Sequence, residues 1–201
     1  MKTAFLTIFS ALVLVSGIAN TTYAATAKND DNTYTVLTDI RAINKIEVHG
    51  NVELYVSDAS ADQVKVYNKY YSESALVQSS NGVLRITSYK AEKLVVWVSA
   101  NDLRSIAAYD HAVVKSFGKL SKIEFDVELH DNAEARLNLD AFNANVVVKD
   151  NAKADLNGSA DQLTVNSDIE SNVKRNNFTA LHFKEAPVSF TIANNDDLAR
   201  L

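Results

Sequence analysis

Between Ile106 and Ile192 one short pattern returns at intervals of 21, 19, 21 and 23 residues, and a period of that size leaves few folds open. The corners Asp110-His111-Ala112, Asp131-Asn132-Ala133, Asp150-Asn151-Ala152 and Ser171-Asn172-Val173 align, and Asn194-Asn195 closes the series. The flanks keep step. Apolar residues stand four and two places before the corners, as in Val127/Leu129 and Val146/Val148, and alternate again after them, as in Ala133, Ala135, Leu137 and Leu139. Two short strands per repeat, both facing one core, exclude helical bundles and doubly wound folds. They predict an all-β, parallel β-solenoid, β-helix-like, with about 19–23 residues per coil.

Stacked coils lie about 4.8 Å apart, so equivalent residues form ladders. The residue after each corner gives a ladder of His111, Asn132, Asn151, Asn172 and Asn195. Asn suits it because it tolerates left-handed backbone and its amide can bond to the amide above. The corner acids Asp110, Asp131 and Asp150 form a second ladder. Like charges at that spacing repel by about 0.9 kcal/mol in water, which calls for solvation, local compensation or a bridging cation. Calcium, a hard ion with several oxygen ligands, is the natural cation, although the pattern supplies fewer than the six ligands it takes, and Asp is equally a favoured turn residue.

Upstream of the repeat, Ile46, Val48, Gly50, Val52, Leu54 and Val56 alternate strictly, with a bend at Gly50-Asn51. Asn81-Gly82 between Leu76-Val77 and Val83-Leu84-Arg85-Ile86 is a two-residue hairpin signal. Leu94 to Val98 forms a further strand. Strands and a hairpin thus precede the coils.

At the N-terminus, Lys2 leads into a charge-free stretch from Ala4 to Ala19 containing Phe5, Leu6, Ile8, Phe9, Leu12 and Val13. With Thr22-Tyr23-Ala24 after it, this reads as a signal peptide over residues 1–24. A membrane anchor is the competing reading, but the run falls short of the roughly 20 residues that a spanning helix needs. The polar segment 25–40 reads as a flexible leader, and 41–201 as a single β-solenoid domain. The mature protein is expected to be exported, to the periplasm, cell surface or extracellular space, with no transmembrane segment after signal removal.

The chain holds no Cys, which removes disulfides, thiolate nucleophiles and Cys-based metal sites. A net charge of −5 without a basic stripe argues against nucleic acid. No nucleophile elbow, zinc helix or phosphate loop is present. Glu124, Asp126 and Glu128 share one strand face, where a polysaccharide-active enzyme would hold its acids, but alternating acids are also the ordinary solvent face of a strand. The aromatic residues are segregated, with Tyr55, Tyr67, Tyr70, Tyr71, Tyr89, Tyr109 and the only Trp all in the first half of the mature chain. Tyr and Trp suit stacking on a glycan or docking an envelope protein, and they are also good strand residues. The candidate binding residues are Tyr67, Tyr70, Tyr71 and Trp97.

The run Ile43-Asn44-Lys45-Ile46-Glu47-Val48-His49-Gly50-Asn51-Val52-Glu53-Leu54-Tyr55-Val56, the Asn81-Gly82 hairpin, Leu94 to Val98 with Leu103-Arg104-Ser105-Ile106, and the coils after them together resemble a known family. It is the exported bacterial family called "putative auto-transporter adhesin, head GIN domain", common in Bacteroidetes. The resemblance covers roughly Ile43 to Ile192 and implies a β-solenoid of short repeats with an adhesin-like role. It brings no catalytic residues. Asp-His-Ala and Asp-Asn-Ala stand where the family has small corner residues, and the Gly-Ile-Asn signature is absent, with Gly50-Asn51-Val52 near its place. The combined expectation is a non-enzymatic adhesion or ligand-binding module of the cell envelope; the alternatives are a polysaccharide-active enzyme and a purely structural component.

Overall fold

The computed structural model describes residues 25–27, 34–37, 40, 42–67, 74–169 and 172–186. The signal segment 1–24, most of the leader, Tyr70, Tyr71 and Asn195 lie outside them. Among the described residues every regular element is a strand. In chain order these are β1 (Ala25–Ala27), β2 (Tyr34–Leu37), β3 (Lys45–His49), β4 (Val52–Asp58), β5 (Gln63–Tyr67), β6 (Ala75–Ser80) and β7 (Val83–Ser88). They continue with β8 (Leu94–Ala100), β9 (Ser105–Ala108), β10 (Val113–Ser116), β11 (Leu120–Leu129), β12 (Glu134–Val148), β13 (Lys153–Ser167) and β14 (Val173–Ala186).

All belong to one open, curled sheet of mixed parallel and antiparallel strands. One face runs β6-β7-β3-β9-β11 and the other β1-β2-β5-β8-β4-β10; the long β12, β13 and β14 continue both. Alternation explains the enclosure. Ile46, Val48, Leu84, Ile86, Ile106, Val127 and Leu129 point inward from one face, and Val52, Leu54, Val56, Val96, Val98, Val114 and Leu137 from the other, all at most 1 % exposed. Burying each such side chain contributes about 1.5–3 kcal/mol, which is what holds the two faces together.

The two-residue hairpin forms as expected, with Asn81 and Gly82 at φ of 51° and 80° joining antiparallel β6 and β7. The parallel pairings also follow the repeat where Val127 pairs with Ile106, an offset of 21, and Val146 with Val127, an offset of 19. The fourth corner is a correction. Ala154 pairs with Val173, an offset of 19, so Ser171-Asn172-Val173 lies two residues out of the alignment with Asp150-Asn151-Ala152. A slip of two keeps every side chain on its face, so alternation cannot detect it. The observed register sets Lys174 beside Asp155, whereas the sequence alignment would have set it beside Lys153. A bulge between Asp155 and Asn157 then lengthens the offset to 20.

The first half departs from uniform parallel stacking, since β1, β2, β5 and β6 pair antiparallel. Within the segment read as a leader, Tyr34–Leu37 extends the sheet along β5. Its Val36 and Leu37 are strand-formers placed opposite Lys65 and Val64.

Candidate functional site

Inward Val64, Val66, Val96, Val98, Leu54 and Val56 leave their sequence neighbours on the outer surface of β5, β8 and β4. Register then makes a row across four adjacent strands. Lys65 is opposite Trp97, Trp97 is beside Tyr55, and Tyr55 is beside Lys115 of β10. Trp97 is the hub. Its ring stacks on Tyr55 with centroids 4.7 Å apart, meets Phe117 at 5.1 Å and 55°, and lies 6.3 Å from Tyr67, which in turn packs on Tyr34 at 5.2 Å. Tyr34, Tyr55, Tyr67 and Trp97 are half-buried, whereas Phe117 is 62 % exposed. Tyr55 and Trp97 each have one ring face covered by the other, so Phe117 offers the largest open ring surface of the cluster.

A carboxylate organises the polar side of this patch. Glu53 accepts hydrogen bonds from Tyr55 Oη at 2.8 Å and Lys115 Nζ at 2.5 Å, and Lys93 Nζ stands 3.3 Å from its other oxygen. The Lys115 and Tyr55 hydrogen bonds, with Lys93 behind them, outweigh partial burial and hold the Glu53 carboxyl down at about 2. Lys115 and Lys65 lie 5.4 Å and 5.6 Å from the ring centroids of Tyr55 and Tyr34, within cation–π range. Lys65 has no carboxylate partner among the described residues.

Of the four expected binding residues the structure thus brings Tyr67 and Trp97 together, while Tyr70 and Tyr71 lie outside the described residues. Sequence reasoning passed over Tyr34, Tyr55 and Phe117 as site members. Tyr55 carried a usable signal, being an outward residue at the same place in its strand as Trp97.

The opposite face carries a different stack. His49, Tyr109 and His130, each one place before a corner, lie ring on ring with centroids 4.4 Å and 4.7 Å apart. His130 Nε2 is 2.9 Å from Glu128, which also pairs with Lys149 at 3.4 Å. Glu124, Asp126 and Glu128 do project outward from β11, since Phe125, Val127 and Leu129 are buried between them. Glu128 is already engaged by His130 and Lys149.

The corners differ from the expected amide ladder. The left-handed residues are the Asp themselves, with φ of 59°, 57° and 58° at Asp110, Asp131 and Asp150. His111, Asn132 and Asn151 are exposed, and no side-chain hydrogen bond joins them among the described residues; the backbone joins the corners, Asn132 N–H donating to Asp110 O and Asn151 N–H to Asp131 O. Asn172 leaves the column through the register slip. The acids are compensated by backbone donors. Gly50 N–H donates to Asp110 Oδ2, Asp110 N–H to Asp131, Asp131 N–H to Asp150 and Asp150 N–H to Asp168, at 2.8–3.1 Å. Among the described residues no group of three or more His, Asp or Glu is placed to hold a metal ion.

A model of the family described as "Putative auto-transporter adhesin, head GIN domain" matches residues 42–185. Among solved structures, a putative adhesin from Bacteroides fragilis NCTC 9343 is similar at a TM-score of 0.67 and 15% identity, over 79% of this chain and 77% of that one. A putative lipid binding protein from Parabacteroides distasonis ATCC 8503 follows at 0.60 and 10%, over 79% of each chain. A putative adhesin from Parabacteroides merdae ATCC 43184 gives 0.54 and 15%, over 79% and 78%. No curated protein matches the chain. Among the described residues no helix is long and apolar enough to cross a membrane.

Proposed function

Because the chain belongs to the head GIN domain family of putative auto-transporter adhesins, we propose that it is an exported, non-enzymatic adhesion module of the cell envelope that binds a glycan through the Trp97 patch. The observation that carries this reading is the exposed Phe117 ring held against Trp97, with Tyr55, Tyr67 and Tyr34 behind it. Sugars present apolar C–H faces and polar edges, and an aromatic ring rimmed by Lys and carboxylate groups complements both. The parallel register of β11 to β14 supports a solenoid of stacked coils serving as the rigid base for that patch.

The relative described as a putative lipid binding protein raises a lipid as the other ligand class. The polar rim of Glu53, Lys93 and Lys115 around the rings favours a sugar. The test is retention of the purified protein on a panel of envelope and extracellular polysaccharides, scored together with release of new sugar ends. Retention without cleavage that disappears in Phe117→Ala supports the reading. Cleavage sensitive to Glu124→Gln, Asp126→Asn or Glu128→Gln would replace it with an enzyme, and retention on no polysaccharide would end it.

A further inference from the structure

Resting on the glycan reading, we infer that the ligand of the Trp97 patch is an acidic polysaccharide, one carrying carboxylates along its chain. One surface of this acidic protein carries an excess of positive charge. The chain as a whole has net charge −5, yet the aromatic row is bounded by three ammonium groups, Lys65, Lys93 and Lys115, against the single carboxylate of Glu53. Glu53 takes up Lys93 and Lys115 and leaves the set with a surplus of positive charge. Lys65 holds the surplus in its plainest form: it sits directly across from Trp97 and is packed over Tyr34 without a carboxylate partner among the described residues.

The geometry suits a polymer more than a small anion. Lys65, Trp97, Tyr55 and Lys115 occupy four consecutive strands, so the two ammonium groups flank the rings across three strand spacings, about 14 Å. An extended chain laid along that row places sugar rings against the aromatic side chains and its carboxylates toward the lysines at either end. A neutral glycan would use the rings and leave Lys65 without a carboxylate partner. Close to the low-dielectric ring surfaces, a charge-assisted hydrogen bond from Lys65 to a bound carboxylate gains over its exposed counterpart.

The experiment is retention of the purified full chain on polygalacturonate, alginate and hyaluronate, each paired with the same polymer after methyl esterification of its carboxylates. Expected is retention on at least one acidic form, at least tenfold weaker on its ester and weakening as salt rises. Lys65→Gln should cost about tenfold in affinity, the value of one charge-assisted hydrogen bond. Lys184→Gln on β14, an exposed lysine away from the row, should leave affinity unchanged. Equal retention on acid and ester, abolished by Phe117→Ala, would overturn acid selectivity and leave the glycan site standing. Retention on none of the six polymers overturns this inference, while the wider polysaccharide panel decides separately whether a glycan is bound at all.

Discussion

The carboxylate of Asp131 accepts the backbone N–H of Asp110 at 3.0 Å, so one corner caps the corner 21 residues earlier in the chain. Asp131 itself stands at φ 57°, where an ordinary residue is strained. One side chain therefore serves two needs, a tolerated left-handed turn and an acceptor for a backbone donor that the curl of the sheet leaves without a strand partner. Asp131→Ala should lose both, at about 2 kcal/mol. Asp131→Asn keeps the turn preference and an acceptor oxygen, and should stay within about 0.5 kcal/mol of the parent. Urea midpoints of the two variants check the difference, and equal losses would mean that the hydrogen bond carries no weight.

The same ladder bears on calcium. Each of Asp110, Asp131 and Asp150 already has one oxygen on a neighbouring N–H, and a cation would have to compete with those bonds for the carboxylates. The melting temperature should be the same in millimolar calcium as in chelator. A rise of more than about 3 °C, on the order of 1 kcal/mol for a chain of this size, would reinstate a bridging ion.

Binding and stability should separate within the aromatic patch. Phe117 is 62 % exposed and among the described residues its ring meets the cluster at Trp97, so Phe117→Ala should abolish glycan retention while costing less than about 1 kcal/mol of stability. Trp97 meets three rings, and Trp97→Ala should lose both retention and roughly 2 kcal/mol. Retention and thermal melts on the same two proteins decide it; a Phe117→Ala protein that still binds would move the site elsewhere.

Strand identity and the inward faces were legible in the sequence because alternation reports them residue by residue: Val127, Leu129, Val146 and Val148 are buried as their spacing requires. Register was legible only where the corners are strong. Ser171-Asn172 looked like a corner, but period two is blind to a slip of two, and the observed register sets Lys174 beside Asp155. The patch was half legible. Trp97 and Tyr67 announced themselves by composition, whereas Phe117 follows the end of β10 with no alternating partner, and Tyr34 stands in a polar stretch. What joins them is a spatial strand order, β2-β5-β8-β4-β10, that differs from chain order and leaves no periodic trace.

Close parallel pairing of β12 and β13 leaves no room at Gly158. A Cβ there would fall 2.0 Å from the carbonyl oxygen of Leu139 on the adjacent strand, at a φ of 106° that side chains rarely adopt. Gly158→Ala should cost at least about 3 kcal/mol, since rigid backbone would have to move. Gly118, at φ 84° but with nothing within 4 Å of its would-be Cβ, is the matched control, and Gly118→Ala should cost only about 1 kcal/mol. Comparable losses in urea denaturation would show that backbone conformation alone, and not the approach of Leu139, sets the penalty.

Glu53 ties the patch to acid stability. Its carboxyl ionises at about 2 in the folded chain because Lys115 and Tyr55 donate to the charged form and Lys93 stands beside it, against an ordinary value of 4.5. A value depressed by folding means that the unfolded chain binds the proton first. The stabilisation is therefore fully present above pH 4.5 and is lost as pH falls from there toward 2. Screening at a protein surface reduces it to the order of 1–2 kcal/mol. Glu53→Gln should then be less stable than the parent at pH 7, and the gap between the two should narrow steadily between pH 4.5 and pH 2.5. Melts at those three values measure it, and a gap independent of pH would mean that Glu53 acts through its packing and hydrogen-bonding shape, with its charge contributing nothing.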